Sequence, residues 1–248
     1  MKESLYCCDN LQLLKSQPDK SIDLIYCDIL YGTGRNFKDY QDLKPIRSEI
    51  ESHYLPRLIE MKRVLKQNGS IYLQMDTRIN HWLRILMDEI FGYSNFQNEI
   101  VWCYAGGGIP KNNYPKKHDV ILFYTKTENY YFNHQMRNYS QSGSGRRSNG
   151  YKYDLLGKTP INDWWADIAP QNTQSKDKVS YNTQKPKELI RRFVLASTNE
   201  GDTVADYYLG SGTTAVVCKE LNRNFIGCDI NPKAIEITKN RLNEFNCK

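Results

Sequence analysis

From Val204 to Thr214 the chain reads Val-Ala-Asp-Tyr-Tyr-Leu-Gly-Ser-Gly-Thr-Thr, then runs through a helical stretch into Phe225-Ile226-Gly227-Cys228-Asp229. That is a strand, a glycine-containing turn, a helix and a second strand ending on a carboxylate, the order of a nucleotide-binding α/β unit. Gly210 and Gly212 allow a sharp turn and a close approach of backbone to a bound cofactor. Asp229, at the end of the second strand, is placed to accept both hydroxyls of a ribose. The third glycine of a G-x-G-x-x-G fingerprint is missing and no Gly-Lys-Ser/Thr follows. Both a dinucleotide and a P-loop triphosphate are therefore disfavoured.

Short apolar runs bounded by turn residues recur along the rest of the chain. Residues 5–8, 24–27, 70–75, 100–104, 120–124, 203–205 and 225–228 read as strands. Helical spacing of apolar residues predicts helices over 55–65 and 81–90, with Gly69 ending the first and Gly92 following the second. Two more are expected over 213–221 and 232–245, Pro232 suiting a first helical turn. This alternation predicts an α/β domain with a mainly parallel sheet, formed by 1–128 and 181–248. Residues 129–180 break the pattern with Asn, Gln, Ser, Gly and Lys around Arg146-Arg147 and Trp164-Trp165, and read as an irregular insert with a function of its own. The two tryptophans are expected to anchor it to the core.

Charge separates the insert from the scaffold. The chain of 248 residues carries 34 Lys/Arg against 28 Asp/Glu, a net charge of +6. Between Cys103 and Glu200 there are 15 basic and 8 acidic residues, so the excess lies in this middle stretch. A basic segment on a nearly neutral scaffold is the footprint of a phosphate-backbone binder, and equally that of a solvated basic face. No apolar run approaches the ~18–20 residues of a membrane span, and residues 1–15 lack a signal-peptide core. Seven cysteines, an odd number without a C-x-x-C pair, point away from a disulfide framework or a zinc site and towards a reducing cytoplasm.

Near the N-terminus, Leu24-Ile25-Tyr26-Cys27 runs into Asp28-Ile29-Leu30-Tyr31-Gly32-Thr33-Gly34. In an open α/β sheet the site lies outside the carboxyl ends of the strands, which places Asp28 at the rim with Tyr31 beside it. A strand-end Asp capping its own turn fits the same residues.

Asp28-x-x-Tyr31-Gly-Thr-Gly early, a basic polar insert, Thr183-Gln184-Lys185-Pro186, then Asp206-x-x-x-Gly-Ser-Gly-Thr-Thr together resemble the amino-type (N6-adenine/N4-cytosine) DNA methyltransferases of the β order. Residues 6–10, 87–92 with 100–102, and 118–126 resemble further blocks of that family, so the likeness covers nearly the whole chain. It implies a Rossmann-like, S-adenosylmethionine-dependent methyltransferase fold with a mainly parallel seven-stranded sheet, helices on both faces and a target-recognition insert over 129–180. It implies duplex DNA as partner and methyl transfer to N6 of a flipped adenine, and leaves a homodimer and a cognate restriction endonuclease open. Asp28 and the Ile29 carbonyl would accept the amine hydrogens and Tyr31 would stack on the base. Asp9, Asp206, Gly210, Ser211, Gly212, Thr213, Thr214 and Asp229 would hold the cofactor, Lys185 its carboxylate. The alternative for Asp9 is a helix N-cap, and for Lys185 an exposed loop lysine. Arg146, Arg147, Lys152, Lys176 and Lys178 are candidate phosphate contacts; Gln171, Asn172 and Gln174 could read adenine edges or simply be solvated.

The chain departs from the family pattern in two places. Ile29 and Leu30 stand where Asp-Pro-Pro-Tyr has prolines, and Tyr207-Tyr208 where Asp-Pro-Phe is common. Losing a proline loosens a loop by about 0.4–1 kcal/mol. The readings kept beside an adenine enzyme are an N4-cytosine enzyme, which more often carries Ser at the Asp28 position, and a catalytically impaired DNA-binding homologue. A small-molecule or RNA methyltransferase is disfavoured by the motif order.

Overall fold

The computed structural model describes residues 2–105, 108–138, 158–171, 175, 177–181 and 183–246. In chain order the elements are β1 (Glu3–Cys7), α1 (Asn10–Ser16), β2 (Ile22–Asp28), α2 (Arg47–Val64), β3 (Leu65–Met75), α3 (Asn80–Phe91), β4 (Phe96–Cys103), β5 (His118–Thr125), β6 (Met136–Asn138), β7 (Lys158–Pro160), β8 (Trp164–Trp165), α4 (Lys187–Ser197), β9 (Thr203–Asp206), α5 (Thr213–Glu220), β10 (Asn224–Asp229) and α6 (Pro232–Asn246). Eight strands form one sheet in the order β1-β10-β9-β2-β3-β5-β4-β8, and β6 pairs with β7 apart from it. The pairs from β1 to β3 are all parallel; β5 runs antiparallel to both β3 and β4.

Burial on both faces explains the near-continuous apolar strands. Successive residues of β2 point to opposite sides. Ile25 and Cys27 pack with α1, α2 and α3, while Leu24 and Tyr26 pack with α4, α5 and α6. Ile71 and Leu73 against Tyr72, and Leu122 against Ile121 and Phe123, repeat that division in β3 and β5. The chain leaves β2 through α2 towards β3 and leaves β9 through α5 towards β10. Since β2 and β9 are neighbours, the two crossovers diverge and open a crevice at the carboxyl ends of those strands.

Five details differ from the sequence reading. Trp164–Trp165 adds an eighth strand by pairing with Val101–Trp102. Trp165 is buried against Phe193, as an anchor should be, but Trp164 is largely exposed. Helix α2 begins at Arg47 rather than 55, because its polar first turns still place Ile50 and Tyr54 on the stripe continued by Leu58, Met61 and Val64. Gly69 does not end it: α2 stops at Val64, and Gly69 lies in β3, where a Cβ would come within 2.9 Å of the Asp23 carbonyl. Helix α4 was not anticipated, although Leu189, Ile190, Phe193 and Val194 give it a clear buried face. Of the insert's candidate DNA contacts, Arg146, Arg147, Lys152 and Lys176 lie outside the described residues, as do Asn172 and Gln174. Among the described residues no helix is long and apolar enough to cross a membrane.

Gly212 sits at φ +74 as the residue before α5, and a Cβ there would overlap Thr238, coming within 2.7 Å of its Cγ2. Gly212→Ala is expected to destabilise the fold by about 2 kcal/mol or more, from left-handed strain plus the clash. Adding Thr238→Ala should recover only part of the clash component, because the Cβ at 238 would still lie 2.8 Å away. Thermal unfolding of the two variants checks this, and a Tm for Gly212→Ala equal to the parent's would refute it.

Candidate active site

Strand direction brings a row of carboxylates to one edge of the sheet. Along it lie Asp9 just beyond β1, Asp229 ending β10, Asp206 ending β9 and Asp28 ending β2; antiparallel β5 brings Asp119 to the same edge from its start. Each has a different task. Asp9 caps α1 by accepting from the Leu11 and Gln12 N–H groups and pairs with Arg57 at 2.8 Å, so the capping alternative is realised. Asp229 accepts from Gly210 N at 2.9 Å and Asn231 N at 2.8 Å, tying the glycine turn to the end of β10. Asp206 is buried and accepts from the Thr214 hydroxyl at 2.6 Å and the Tyr208 N–H at 3.0 Å. Burial pushes its carboxyl up to about 7, against the pull of those two hydrogen bonds. Asp206 thus shapes the Gly210–Thr214 turn from beneath.

Asp28 is the centre of a second arrangement. Lys185 Nζ donates to Asp28 Oδ2 at 2.7 Å, and the Tyr31 hydroxyl lies 2.7 Å from Asp28 Oδ1 and 2.8 Å from Asp119 Oδ2. Asp119, almost fully buried, also accepts from Gln74 Nε2 at 2.8 Å and the Tyr104 hydroxyl at 2.9 Å, and Tyr26 donates to Gln74 Oε1 at 2.6 Å. Burial raises the Asp28 carboxyl; Lys185 and the Tyr31 hydrogen bond oppose the rise, and the Asp119 charge adds to it. Burial would lower the Lys185 ammonium, but Asp28 and Asp119 together hold it above its ordinary range. Lys185, expected at a cofactor carboxylate, is therefore committed in this structure to Asp28. Sequence reasoning missed Asp119, whose only signal is an acid within the otherwise apolar run of β5.

The missing prolines are replaced by other restraints. The Ile29 N–H donates to the Gln74 carbonyl at 3.1 Å, a bond proline could not make, and the Ile29 side chain is buried in the core. The Tyr54 hydroxyl donates to the Leu30 carbonyl at 2.8 Å. Among the described residues no donor reaches the Ile29 carbonyl, so this acceptor is left open beside Asp28. The following loop is held by Asp42, which accepts from Gly32 N at 3.0 Å and Thr33 N at 2.8 Å.

These groups open onto a cleft of about 440 Å³, lined by Asp9, Asp28, Ile29, Tyr31, Phe37, Tyr40, His53, Arg57, Thr183, Lys185, Tyr208, Gly210 and Asp229 among others. That volume is in the range of a small-molecule or cofactor site. A narrow extension between Asp28 and the glycine turn is lined by Lys185, Ser211, Thr213 and Thr214. Thr183 holds φ +62, a conformation β-branched residues avoid, at the cleft wall beside Tyr40. The predicted catalytic and cofactor residues are thus gathered around one cavity, Asp206 and Gly212 supporting it from behind. Lys178 is exposed and donates to the Tyr181 carbonyl at 3.3 Å.

A family model described as DNA methylase (N6/N4 type) matches residues 22–240. Type II methyltransferase M.HpaI of Haemophilus parainfluenzae is 36% identical, over 99% of this chain and 76% of its own. DNA adenine methyltransferase YhdJ of Escherichia coli K12 is 32% identical, over 94% of this chain and 80% of its own. Among solved structures, the cytosine-N4-specific PvuII DNA methyltransferase superposes with a TM-score of 0.72 at 18% identity, covering 97% of this chain and 86% of that one. M1.HpyAVI in complex with S-adenosylmethionine gives 0.65 at 20% identity, over 97% and 99%.

His53 Nε2 lies 3.1 Å from the Tyr208 hydroxyl on the cleft wall, and burial together with the nearby Arg57 cation lowers it from 6.5 to about 4. The unfolded chain then binds a proton between those values that the folded one does not. The stability His53 contributes is complete above pH 6.5 and is lost as pH falls towards 4. The Tm drop between pH 7 and pH 5 is expected to be smaller in His53→Asn than in the parent; equal drops would contradict the assignment.

Proposed function

From the premise that the chain belongs to the N6/N4 DNA methylase family, we propose that it transfers a methyl group from S-adenosylmethionine to an exocyclic amine in duplex DNA, N6 of adenine. One observation carries the reading. Asp28 with its neighbouring peptide carbonyl, and the Gly210–Thr214 turn, open onto the same cleft from the adjacent parallel strands β2 and β9. Relatives named type II and adenine methyltransferases support the choice of site-specific DNA as substrate and of adenine as base.

The residues present suit this cofactor. The glycine turn provides backbone at the cleft wall, Asp229 lies where ribose hydroxyls can be accepted, and Asp9, Tyr208 and His53 border the space an adenine ring would take. When bound, S-adenosylmethionine supplies an electrophilic methyl group. The chain's own residues do the rest. An exocyclic amine is a poor nucleophile because its lone pair is delocalised into the ring. Accepting its two hydrogens at the Asp28 carboxylate and the open Ile29 carbonyl favours a pyramidal nitrogen with the lone pair directed into the cleft. The amine is unreachable inside a duplex, so the base must be flipped, and the Tyr31 ring offers a face to stack on. Asp28 receives the released proton. Its raised carboxyl range and the Tyr31 hydroxyl and Asp119 carboxylate behind it give that proton a hydrogen-bonded place.

Asp28→Ala is expected to abolish methyl incorporation into genomic DNA from labelled cofactor while leaving cofactor affinity, measured by calorimetry, largely intact. Digestion of parent-treated DNA to nucleosides should place the label in N6-methyldeoxyadenosine. Label in N4-methyldeoxycytidine would move the reading to cytosine, and no label in DNA from the parent enzyme would remove it.

Tyr54→Phe frees the Leu30 carbonyl and should lower turnover severalfold, with a stability loss of about 0.5–1.5 kcal/mol typical of one hydrogen bond. Unchanged turnover would show that this clamp does not replace the prolines.

A further inference from the structure

The hairpin formed by β4 and β5 closes at the catalytic edge of the sheet. Cys103 faces His118 in register, and β5 meets the carboxyl end of β3 at Met75 and Val120. The connecting segment, of which residues 104–105 and 108–117 are described, therefore lies at the edge that carries Asp28. Its root is fixed there: Tyr104 N donates to the Lys117 carbonyl at 2.9 Å, and the Tyr104 hydroxyl donates to Asp119, which also holds Tyr31. The segment contains Lys111, Lys116 and Lys117 and no carboxylate. Lys111 and Lys116 are exposed and form no ion pair among the described residues. Between them Tyr114 is 95% exposed, more than any other large hydrophobic side chain in the described core and surface, with Ile109 next at 87%.

Cations without counterions around a projecting aromatic ring, rooted beside a base-binding residue, are what a nucleic-acid backbone and its stacked bases would meet. A base taken out of the duplex also leaves a gap in the stack, and inserted side chains fill such gaps in bent or opened DNA. We propose that residues 108–117 form a DNA-contacting arm separate from the 129–180 insert: Lys111 and Lys116 hold phosphates flanking the target nucleotide, and Tyr114 stacks in the space that nucleotide vacates. This rests on the reading of duplex DNA as substrate. Phosphate contact by the lysines positions the duplex without reading its sequence; the ring stacks on any base.

The test uses the full chain and a mixed-sequence duplex. For Lys111→Ala/Lys116→Ala, DNA affinity should fall at low salt. The slope of log affinity against log salt should shrink by about 1.8, since each phosphate contact contributes about 0.9. Cofactor affinity should not change. Tyr114→Ala should lower methyl incorporation into genomic DNA at saturating DNA by about tenfold, leave the salt slope at the parent value, and be restored by Tyr114→Phe. If the parent methylates DNA and both the slope and the incorporation rate survive these substitutions, the arm is refuted while the enzymatic reading stands. If the parent neither binds nor methylates DNA, both fall together.

Discussion

The parallel pairing of β2 with β9, through Leu24 with Val204 and Ile25 with Ala205, is the contact on which the rest of the molecule depends. These strands are more than 170 residues apart in sequence, and nothing local forces them together. Their side chains are buried on both faces, so neither can exist outside the assembled sheet. Because one crossover departs towards β3 and the other towards β10, backbone cannot fill the space above their shared carboxyl end. Asp28 and the glycine turn face each other there as a consequence of sheet order. A slip of one residue in this register would turn Ile25 to the wrong helix layer and displace Asp28 from the rim together.

The Asp28 cluster shows how such a rim tolerates charge. Two carboxylates and one ammonium leave a residual negative charge in a mostly buried place, which a low-dielectric interior resists. Hydrogen bonds from Tyr31, Tyr104 and Gln74 answer the acceptor atoms of Asp119, and Tyr26 holds Gln74 in turn. A phenol has one hydrogen, so Tyr31 donates to one of its two carboxylate neighbours at a time. The oxygen-to-oxygen contact left over is relieved when a proton resides on one of the acids, in keeping with the upward displacement of Asp28.

What could be read from the chain follows from the range of each interaction. β2, β9 and β10 announce themselves as apolar runs ending in Asp28, Asp206 and Asp229, because strand burial and strand-end acids are local patterns. The glycine turn is equally local, its positive φ values being a property of Gly210 and Gly212. Lys185 lines the cleft, but its partner there is Asp28, 157 residues away, and no spacing rule connects the two. Asp119 carries no signal of its own in the sequence beyond being an acid in an apolar run, since a buried acid beside Val120, Ile121 and Leu122 acquires meaning only from Tyr31 and Tyr104 arriving from elsewhere. The Gly69 misreading has the same root: the glycine is required by the Asp23 backbone of a neighbouring strand, not by the helix before it. Helix α4 is a different failure, for its buried stripe was present in the sequence beyond Pro186.

The ion pair between Lys185 and Asp28 bears on whether Asp28 is available at all. A carboxylate offers about four acceptor directions on its two oxygens. Lys185 uses one on Oδ2 and Tyr31 one on Oδ1, so an amine hydrogen can be accepted without displacing either. Holding both oxygens fixes the plane of the carboxylate, and with the Leu30 carbonyl pinned by Tyr54 the adjoining peptide is oriented too. Orientation is what prolines supply in the usual motif by stiffening the backbone. Here it is supplied by Tyr54 from α2 and Lys185 from the segment before α4, while Tyr31 of the tetrapeptide is anchored on Asp119 of β5, which makes the geometry of the acceptor pair depend on the folded sheet as well as on the tetrapeptide. That difference accounts for how Ile29 and Leu30 can stand in a motif otherwise built on rigidity: the restraint has moved from covalent rings to Tyr54, Lys185 and the Ile29 N–H bond to Gln74.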